Sequence, residues 1–286
     1  MTMQNSLDQA IRNFEKQKGG YELKGNTYAS YMNNSVWNKF LEEMQSKYPH
    51  IYASYKKGMG KELEEKRYPP KMASYGSSSR FIYLLARDVS GFDFEKQFET
   101  NVGGISNLDG FYTLDDVSFC IEAKCREIYG SSHKGEKRSA SYKNLLEFIS
   151  DNCKSISFRC VPIGNNKISI ITTTSQGSII EHFDIIQVIC HFCGIANQLL
   201  TGKLNNKIKF IYLIYNPSLL DDEYFEPRFR NRIVNRYNQT LKEMSCIDFN
   251  EIFNAVTNFL GKKAHPKFVL DFVSADQNSF LSELNV

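Results

Sequence analysis

Two acidic residues and a lysine have types and spacing that suit phosphodiester chemistry. Glu122 and Lys124 lie two apart in the apolar run VSFCIEAK, so a strand would direct both side chains to one face. If this run pairs with NLDGFYTL across a turn at Asp115 and Asp116, Asp109 approaches Glu122. Carboxylates at the end of an apolar strand need compensation, and Mg²⁺ is a hard cation that prefers oxygen ligands. A lysine beside such an ion can neutralise the charge that develops on a phosphate.

This pattern resembles the signature of the PD-(D/E)XK nuclease superfamily, which includes the type II restriction endonucleases. In that signature an Asp lies at the start of a strand, and Glu/Asp-X-Lys follows on the next strand. Here the matching residues are Leu108-Asp109 and Glu122-Ala123-Lys124, with Leu108 in the place of the proline. The resemblance implies that Asp109 and Glu122 hold Mg²⁺, for which Mn²⁺ can substitute. It also implies that Lys124 stabilises charge or positions the attacking water.

The same resemblance implies two further site residues. The family often adds an acid from the helix before the hairpin. Glu95, in FDFEKQFE, is the candidate for this third metal ligand, and Glu99 is the alternative. Many relatives also place a glutamine on a helix after the motif strand, a role that Gln187 in DIIQVICH can fill. The implied catalytic set is Asp109, Glu122, Lys124, Glu95 and Gln187.

Basic residues concentrate in two places and predict contacts with double-stranded DNA. The first follows the motif in a polar stretch, GSSHKGEKRSAS, which we interpret as a loop. Its candidate DNA contacts are Arg126, Lys134, Lys137 and Arg138. The second cluster contains Arg228, Arg230, Arg232 and Arg236, and arginine can read guanine bidentately. Acidic residues just before the second cluster leave an ordinary charged helix equally open.

The spacing of Cys190, His191 and Cys193 comes close to that of a zinc site. Because the segment is apolar and helical, we interpret both cysteines as small buried hydrophobic residues. His191 lies one turn after Gln187, on the same helical face. We interpret it as a core histidine bonded to a carbonyl, with a supporting role beside the site as the alternative.

Several elements must position the hairpin. The first 70 residues have helical periodicity, in LDQAIRNFEKQ and in SVWNKFLEEMQSKYPHIYASYKKG, which ends at residue 58. Ser35 is the predicted N-cap of the second of these helices, and Ser77 to Ser79 are expected to cap the next helix. Helices are also predicted at residues 142–153, in HFDIIQVICHFCGIANQLL and over most of the chain after residue 221. Strands are predicted in KISIITTT, at residues 207–215 and in KFVLDFV.

Helices before, between and after short strands predict an α/β or α+β sandwich. The resemblance refines this to a restriction-endonuclease-like α/β/α core with a mixed central sheet and helical additions at both ends. The expected regions are an N-terminal helical region at 1–74, a nuclease core at 75–220 and a mostly helical C-terminal region at 221–286.

The whole chain has ordinary globular composition, with 42% hydrophobic residues and a formal charge of +3. It has no apolar run long enough for a membrane span and no signal-peptide pattern at its start, so we expect a cytoplasmic protein. The predicted function is a divalent-metal-dependent DNA endonuclease, best matched by a type II restriction endonuclease that acts as a homodimer. The alternatives are a repair, recombination or transposon-processing nuclease and a non-catalytic DNA-binding defence protein.

Overall fold

The computed structural model describes residues 21–23, 30–58, 61–64, 70–74, 77–125, 133–204, 207–216, 227–261 and 268–285. The strands in these ranges are β1 Tyr21–Leu23, β2 Ser30–Met32, β3 Asp93–Glu99, β4 Ile105–Leu114, β5 Val117–Lys124, β6 Glu136–Ser139, β7 Ile156–Gly164, β8 Lys167–Thr174, β9 Lys207–Ile214 and β10 Val269–Ala275. The α-helices are α1 Asn34–Lys47, α2 Pro49–Lys57, α3 Ser78–Ala86, α4 Lys143–Asn152, α5 Ile185–Leu200, α6 Pro227–Ser245, α7 Phe249–Gly261 and α8 Phe280–Glu283. Short 3₁₀ turns cover Lys71–Ala73 and Ala140–Tyr142.

A mixed sheet of five strands, in the order β10-β9-β5-β4-β3, forms the centre of the fold. Strands β3, β4 and β5 form an antiparallel meander, whereas β5, β9 and β10 run parallel to one another. The predicted α/β class is confirmed, and so is the hairpin, because Leu114 pairs with Val117 across the turn at Asp115 and Asp116. The regional boundaries at 74 and 220 stay predictions, although β10 joins the sheet from beyond residue 220.

Each face of the central sheet packs against helices. On β5, Cys120 belongs to the apolar core that contains α4, α5 and α7, whereas Phe119 and Ile121 belong to the core that contains α1, α2 and α3. This division follows from the alternation of side chains along a strand. Glu122 and Lys124 have the same parity as Cys120, and they therefore project toward the side of the sheet that α5 covers.

Strands outside the central sheet correct two expectations. A three-stranded sheet of order β6-β8-β7 lies beside α4, and the stretch predicted as a loop contributes β6 to it. The segment EKRS has no apolar signal and is a strand because its backbone pairs with β8, as in Glu136 opposite Ile170. The short β1–β2 pair lies in the region that was expected to be helical.

Helix boundaries supply three further corrections. The segment FDFEKQFE, expected to be a helix carrying Glu95, forms β3. The N-cap of α1 is Asn33, whose side chain accepts a hydrogen bond from Val36 N at 3.0 Å, rather than Ser35. The helix predicted to continue to residue 58 breaks at Pro49, which begins α2, because proline cannot donate the required backbone hydrogen bond. The Ser77 cap of α3 is confirmed, since its side chain accepts from Arg80 N.

The structure also bears on membrane spanning and on the state of the cysteines. In the described ranges no helix has both the length and the apolarity that a bilayer crossing requires. The seven cysteines are free thiols, and four of them are buried.

Candidate active site

The pair Glu122 and Lys124 lies at the carboxyl end of β5, between β4 and the parallel strand β9. Both side chains are buried, and Lys124 Nζ lies 2.9 Å from Glu122 Oε1. Burial by itself would raise the pKa of Glu122, but Lys124 and His191 outweigh it and lower that pKa to about 2. Glu122 is therefore an anionic group in the protein interior, and the neighbouring side chains of Lys124 and His191 stabilise its charge.

Asp109 extends the meander toward the same point. The last β4–β5 pair before it is Gly110 with Ile121, so Asp109 lies next to Glu122 in the register. Its Oδ2 accepts a hydrogen bond of 2.7 Å from Ala123 N, the backbone amide between Glu122 and Lys124. Burial, followed by the charges of Glu122 and Glu95, raises the pKa of Asp109 well above its usual range. The carboxylate is thus fixed in place while its charge is poorly compensated.

Glu95 reaches this acidic group from β3. The β3–β4 register places it opposite Asp109, between the pairs Phe94–Gly110 and Lys96–Leu108, and its φ is 55°. Burial, then the charges of Glu62 and Glu122, raise the pKa of Glu95 to about 7.

The alternative third acid, Glu99, lies at the exposed end of β3. It is not among the groups that shift the pKa of Asp109, whereas Glu95 is. Of the two candidates, Glu95 is therefore the one that the fold brings to Asp109.

Helix α5 supplies the neighbours on the other side of Glu122 and Lys124. Gln187 Oε1 accepts a hydrogen bond of 2.6 Å from Lys124 Nζ, and His191 Nε2 lies 2.9 Å from Glu122 Oε2. The two residues are four apart, which places them on one helical face. Asp184 caps this helix by accepting from Gln187 N at 2.9 Å, so the glutamine lies in the first turn of α5.

His191 is not bonded to a backbone carbonyl as we expected; its Nδ1 lies 2.7 Å from Ser106 Oγ. A chain of serine, histidine and carboxylate is also found in enzymes with a serine nucleophile. Here Ser106 has no solvent exposure, so a substrate cannot reach its hydroxyl. The arrangement therefore supports Glu122 rather than forming a nucleophile.

The zinc alternative is not favoured by the surroundings of its cysteines. Cys190 Sγ lies 3.2 Å from the Tyr142 hydroxyl, and Cys193 is fully buried in the apolar core. His191 faces Ser106 and Glu122. The expectation of a small buried residue is confirmed for Cys193, whereas Cys190 is only partly buried.

A cavity of about 540 Å³ opens beside this group. Its polar lining includes Asn107, Glu136, Arg138, Tyr142, Gln187 and His191. Asn107 lies two residues before Asp109, and its Oδ1 is buried without a hydrogen-bond partner. The cavity offers room for a small polar group next to Gln187 and His191.

The acids of the site suit a divalent cation in their chemistry. Glu122 Oε2 is buried and, although close to His191, makes no aligned hydrogen bond. With Asp109 and Glu95 it gives an all-oxygen donor set of the kind that Mg²⁺ prefers. Their ligand atoms are not all within 4.8 Å of one another. Among the described residues, the group of three that meets this distance is His133, Glu136 and Asp184. The resemblance gave no indication of that second cluster.

The basic residues that were predicted to contact DNA differ in their surroundings. Lys137 is exposed, whereas Lys134 Nζ lies 3.5 Å from Glu181 Oε1 and Arg138 is paired with Glu136. Arg126 lies outside the described residues. For Arg228, Arg230 and Arg232 the structure describes only the backbone, which belongs to α6.

Sequence reasoning missed Glu62, which is buried, 3.3 Å from Lys71 Nζ, and one of the charges that raise the pKa of Glu95. No local pattern marks it, because its neighbours come from distant segments. The spacing of Asp184, Gln187 and His191 was a usable signal, since three and four residues apart define one helical face.

Comparison of the chain with protein-family models, curated proteins and solved structures finds no match. The functional assignment therefore depends on the residues of the site.

Proposed function

We propose that this chain is a divalent-metal-dependent DNA endonuclease, acting in the cytoplasm as a type II restriction enzyme. The observation that carries the proposal is the position of Lys124. Its ammonium group lies between the Glu122 carboxylate and the Gln187 amide, and Asp109 is bonded to the adjacent backbone amide. A buried acid pair with a fixed lysine is the set of groups that phosphodiester hydrolysis needs.

Asp109 and Glu122, with Glu95 as the third acid, would hold Mg²⁺ or Mn²⁺. When bound, such an ion supplies positive charge for the carboxylates and for a phosphate. Lys124 contributes a second positive charge that can stabilise the transition state, and Gln187 orients its ammonium group through the 2.6 Å hydrogen bond. His191, 2.9 Å from Glu122 Oε2, helps to lower the pKa of Glu122 and so to keep it anionic.

The architecture supports the finer fold proposal, a restriction-endonuclease-like α/β/α core. The central sheet is mixed, it is covered by helices on both faces, and the acids lie where the meander meets the parallel strands. We further propose that double-stranded DNA binds with help from the basic residues of β6 and α6, and that the active species is a homodimer.

Cleavage of supercoiled plasmid DNA with Mg²⁺ tests the proposal. We expect Lys124→Ala to cut about 10²–10³-fold more slowly than wild type, since removal of one charge-stabilising group costs about that much. Lys39→Ala, on the exposed face of α1, is the matched control and should cut normally. Circular dichroism must first show that both variants are folded. Equal cutting by Lys124→Ala and wild type would show that the assigned site is wrong.

The alternatives give different outcomes in the same assay. Defined product ends indicate a restriction enzyme, whereas scattered ends indicate a repair, recombination or transposon-processing nuclease. Binding without cleavage of any tested DNA indicates a non-catalytic defence protein. Sedimentation of the protein with and without duplex DNA tests the homodimer.

A further inference from the structure

A second group of ligand atoms includes two acids that line the cavity, Glu136 and Asp184. His133 Nδ1 is 3.7 Å from Glu136 Oε2 and 3.9 Å from Asp184 Oδ2, and all three atoms lie within 4.8 Å of one another. Ligands around one small cation at about 2.1 Å are separated by about 3.0–3.4 Å. Each of the three atoms therefore needs to move by less than about 1 Å to meet that geometry.

Arg138 lies close to one oxygen of each of the two carboxylates, Glu136 and Asp184. Its guanidinium contacts Glu136 Oε1 and lies 3.8 Å from Asp184 Oδ1, so the second oxygen of each acid is directed at His133. Glu136 Oε2 is buried without a hydrogen-bond partner. The Asp184 side chain is 9% exposed, and its Oδ2 accepts no hydrogen bond from the described residues. A buried carboxylate oxygen without a partner, close to an imidazole nitrogen and a second carboxylate, is an arrangement that a divalent cation would stabilise.

The supporting backbone is fixed before any ligand binds. His133 N donates to Glu181 O at 2.9 Å, which joins the start of the β6 segment to the residues before α5. Glu243 accepts hydrogen bonds from the backbone amides of Glu181, His182 and Phe183, at 3.1, 2.8 and 2.9 Å. A site held in this way loses little conformational entropy on binding.

We infer that His133, Glu136 and Asp184 form a second divalent-cation site, separate from the one proposed at Asp109 and Glu122. The single imidazole ligand favours a first-row transition ion such as Mn²⁺ or Zn²⁺ over Mg²⁺. Asp184 precedes His191, which contacts Glu122, by seven residues, and α5 rises about 1.5 Å per residue. The two sites are therefore about 10 Å apart along α5. Three protein ligands leave coordination positions for water or for an anionic group in the cavity.

Mn²⁺ binding tests this inference without any assay of cleavage. The free Mn²⁺ signal in electron paramagnetic resonance is measured during titration, because Mn²⁺ has little affinity for the thiols of the chain. Wild type should bind one Mn²⁺ more than His133→Ala, with the affinity of this site falling by more than about 100-fold, since loss of an outer-shell partner alone costs 10–100-fold. His50→Ala, an exposed histidine on α2, is the matched control and should bind as wild type.

Two further variants separate this site from the proposed catalytic site. Binding that depends on His133 should persist in Glu122→Gln, whether or not the chain proves to be a nuclease. Glu136→Gln keeps the size of the side chain and should lose the same Mn²⁺, which covers the case that His133→Ala fails to fold. Equal binding by His133→Ala and His50→Ala, no Mn²⁺ bound by wild type, or loss of all binding in Glu122→Gln would overturn the inference.

Discussion

The Asp109 carboxylate accepts a hydrogen bond from one backbone amide, while two nearby acids repel its negative charge. Burial, Glu122 and Glu95 raise its pKa, so in the absence of metal the ionised group destabilises the fold. An asparagine side chain at this position would keep an oxygen for the Ala123 amide and remove the repulsion. At pH 8 and in the presence of a metal chelator, we expect Asp109→Asn to raise the free energy of unfolding by about 1 kcal/mol. Stabilisation of this kind is common when a strained functional group is removed.

Addition of Mg²⁺ should reverse this order of stability. Wild type gains free energy from metal binding, whereas Asp109→Asn loses a ligand and gains little. Chemical denaturation with and without Mg²⁺ measures both effects, and Asp151→Asn on the exposed surface of α4 controls for a general change in charge. Equal stabilisation of wild type and Asp109→Asn by Mg²⁺ would contradict the role of Asp109 as a ligand.

The residue scale also shows which parts of the site a sequence can reveal. The shared face of Glu122 and Lys124 follows from the period of a strand. The resemblance alone suggested Gln187 as a site residue, and its hydrogen bond with Lys124 is known only from the structure. Glu62 and Asn107 gave no local signal. Their proximity to the acids depends on pairing between distant segments, which a single sequence does not specify.

Helix α5 depends on one glycine for its distance from the sheet. A Cβ on Gly194 would lie 2.8 Å from Ser106 Cβ and 2.9 Å from Phe98 Cβ, too close for the side chains of β3 and β4. Alanine favours a helix by about 1 kcal/mol over glycine, but overpacking costs about 1–3 kcal/mol. We expect Gly194→Ala to lower the free energy of unfolding by about 1 kcal/mol, measured by urea denaturation. A more stable variant would show that α5 can move away at no cost.

Glu251, on α7, links that helix to the beginning of β7. Its carboxylate accepts hydrogen bonds from Lys154 N at 2.8 Å, and from Ser155 N and Ser155 Oγ at 3.1 and 3.0 Å. Burial raises the pKa of Glu251, but these hydrogen bonds outweigh it, so the folded-state pKa is lowered. The contribution to stability is therefore complete above the ordinary pKa of 4.5 and is lost as pH falls through the lower folded-state value.

Glu251→Gln should accordingly destabilise the protein by about 1 kcal/mol at neutral pH. The difference from wild type should shrink as pH falls below 4.5, where wild type also loses its charge. Denaturation curves at several pH values check this dependence. A difference that grows toward acidic pH would contradict the assigned contacts.

At the element scale the errors of prediction have identifiable causes. The resemblance implied a helix at β3, and the local sequence does not contradict it, because Phe94 and Phe98 are four residues apart, a spacing that fits one face of a helix or of a strand. Strand β6 contains only polar residues and depends on its pairing with β8. In contrast, β9 and α5 carry long apolar patterns, and their predicted positions are confirmed.

Across the whole molecule, α5 and its N-cap contribute residues to both proposed metal sites and to the cavity wall. Gln187 and His191 face the acids at the end of β5, while Asp184 at the start of the helix joins β6. The small sheet is therefore more than an addition to the core, because β6 supplies Glu136 and Arg138 to the cavity wall. A phosphate in this cavity would lie beside Glu136 and Asp184, and Arg138 in the cavity wall would supply positive charge to it.

The outer face of β6, away from the cavity, carries an exposed basic residue that can contact the DNA backbone. Side chains alternate along the strand, so Glu136 and Arg138 line the cavity whereas Lys137 is exposed to solvent. Lys134 is already close to Glu181, and its charge is partly compensated. Of the basic residues predicted in this segment, Lys137 should therefore contribute most directly to binding of the DNA backbone.

A salt titration of duplex binding measures this contribution. Each neutralised phosphate adds about 0.9 to the slope of log affinity against log salt, so Lys137→Ala should reduce the slope by about one. Lys134→Ala should reduce it less, because the lysine that it removes is already partly neutralised by Glu181. Lys39→Ala on α1 should leave the slope unchanged. An unchanged slope in Lys137→Ala would place the DNA away from β6, and the basic residues of α6 would then have to supply the backbone contacts.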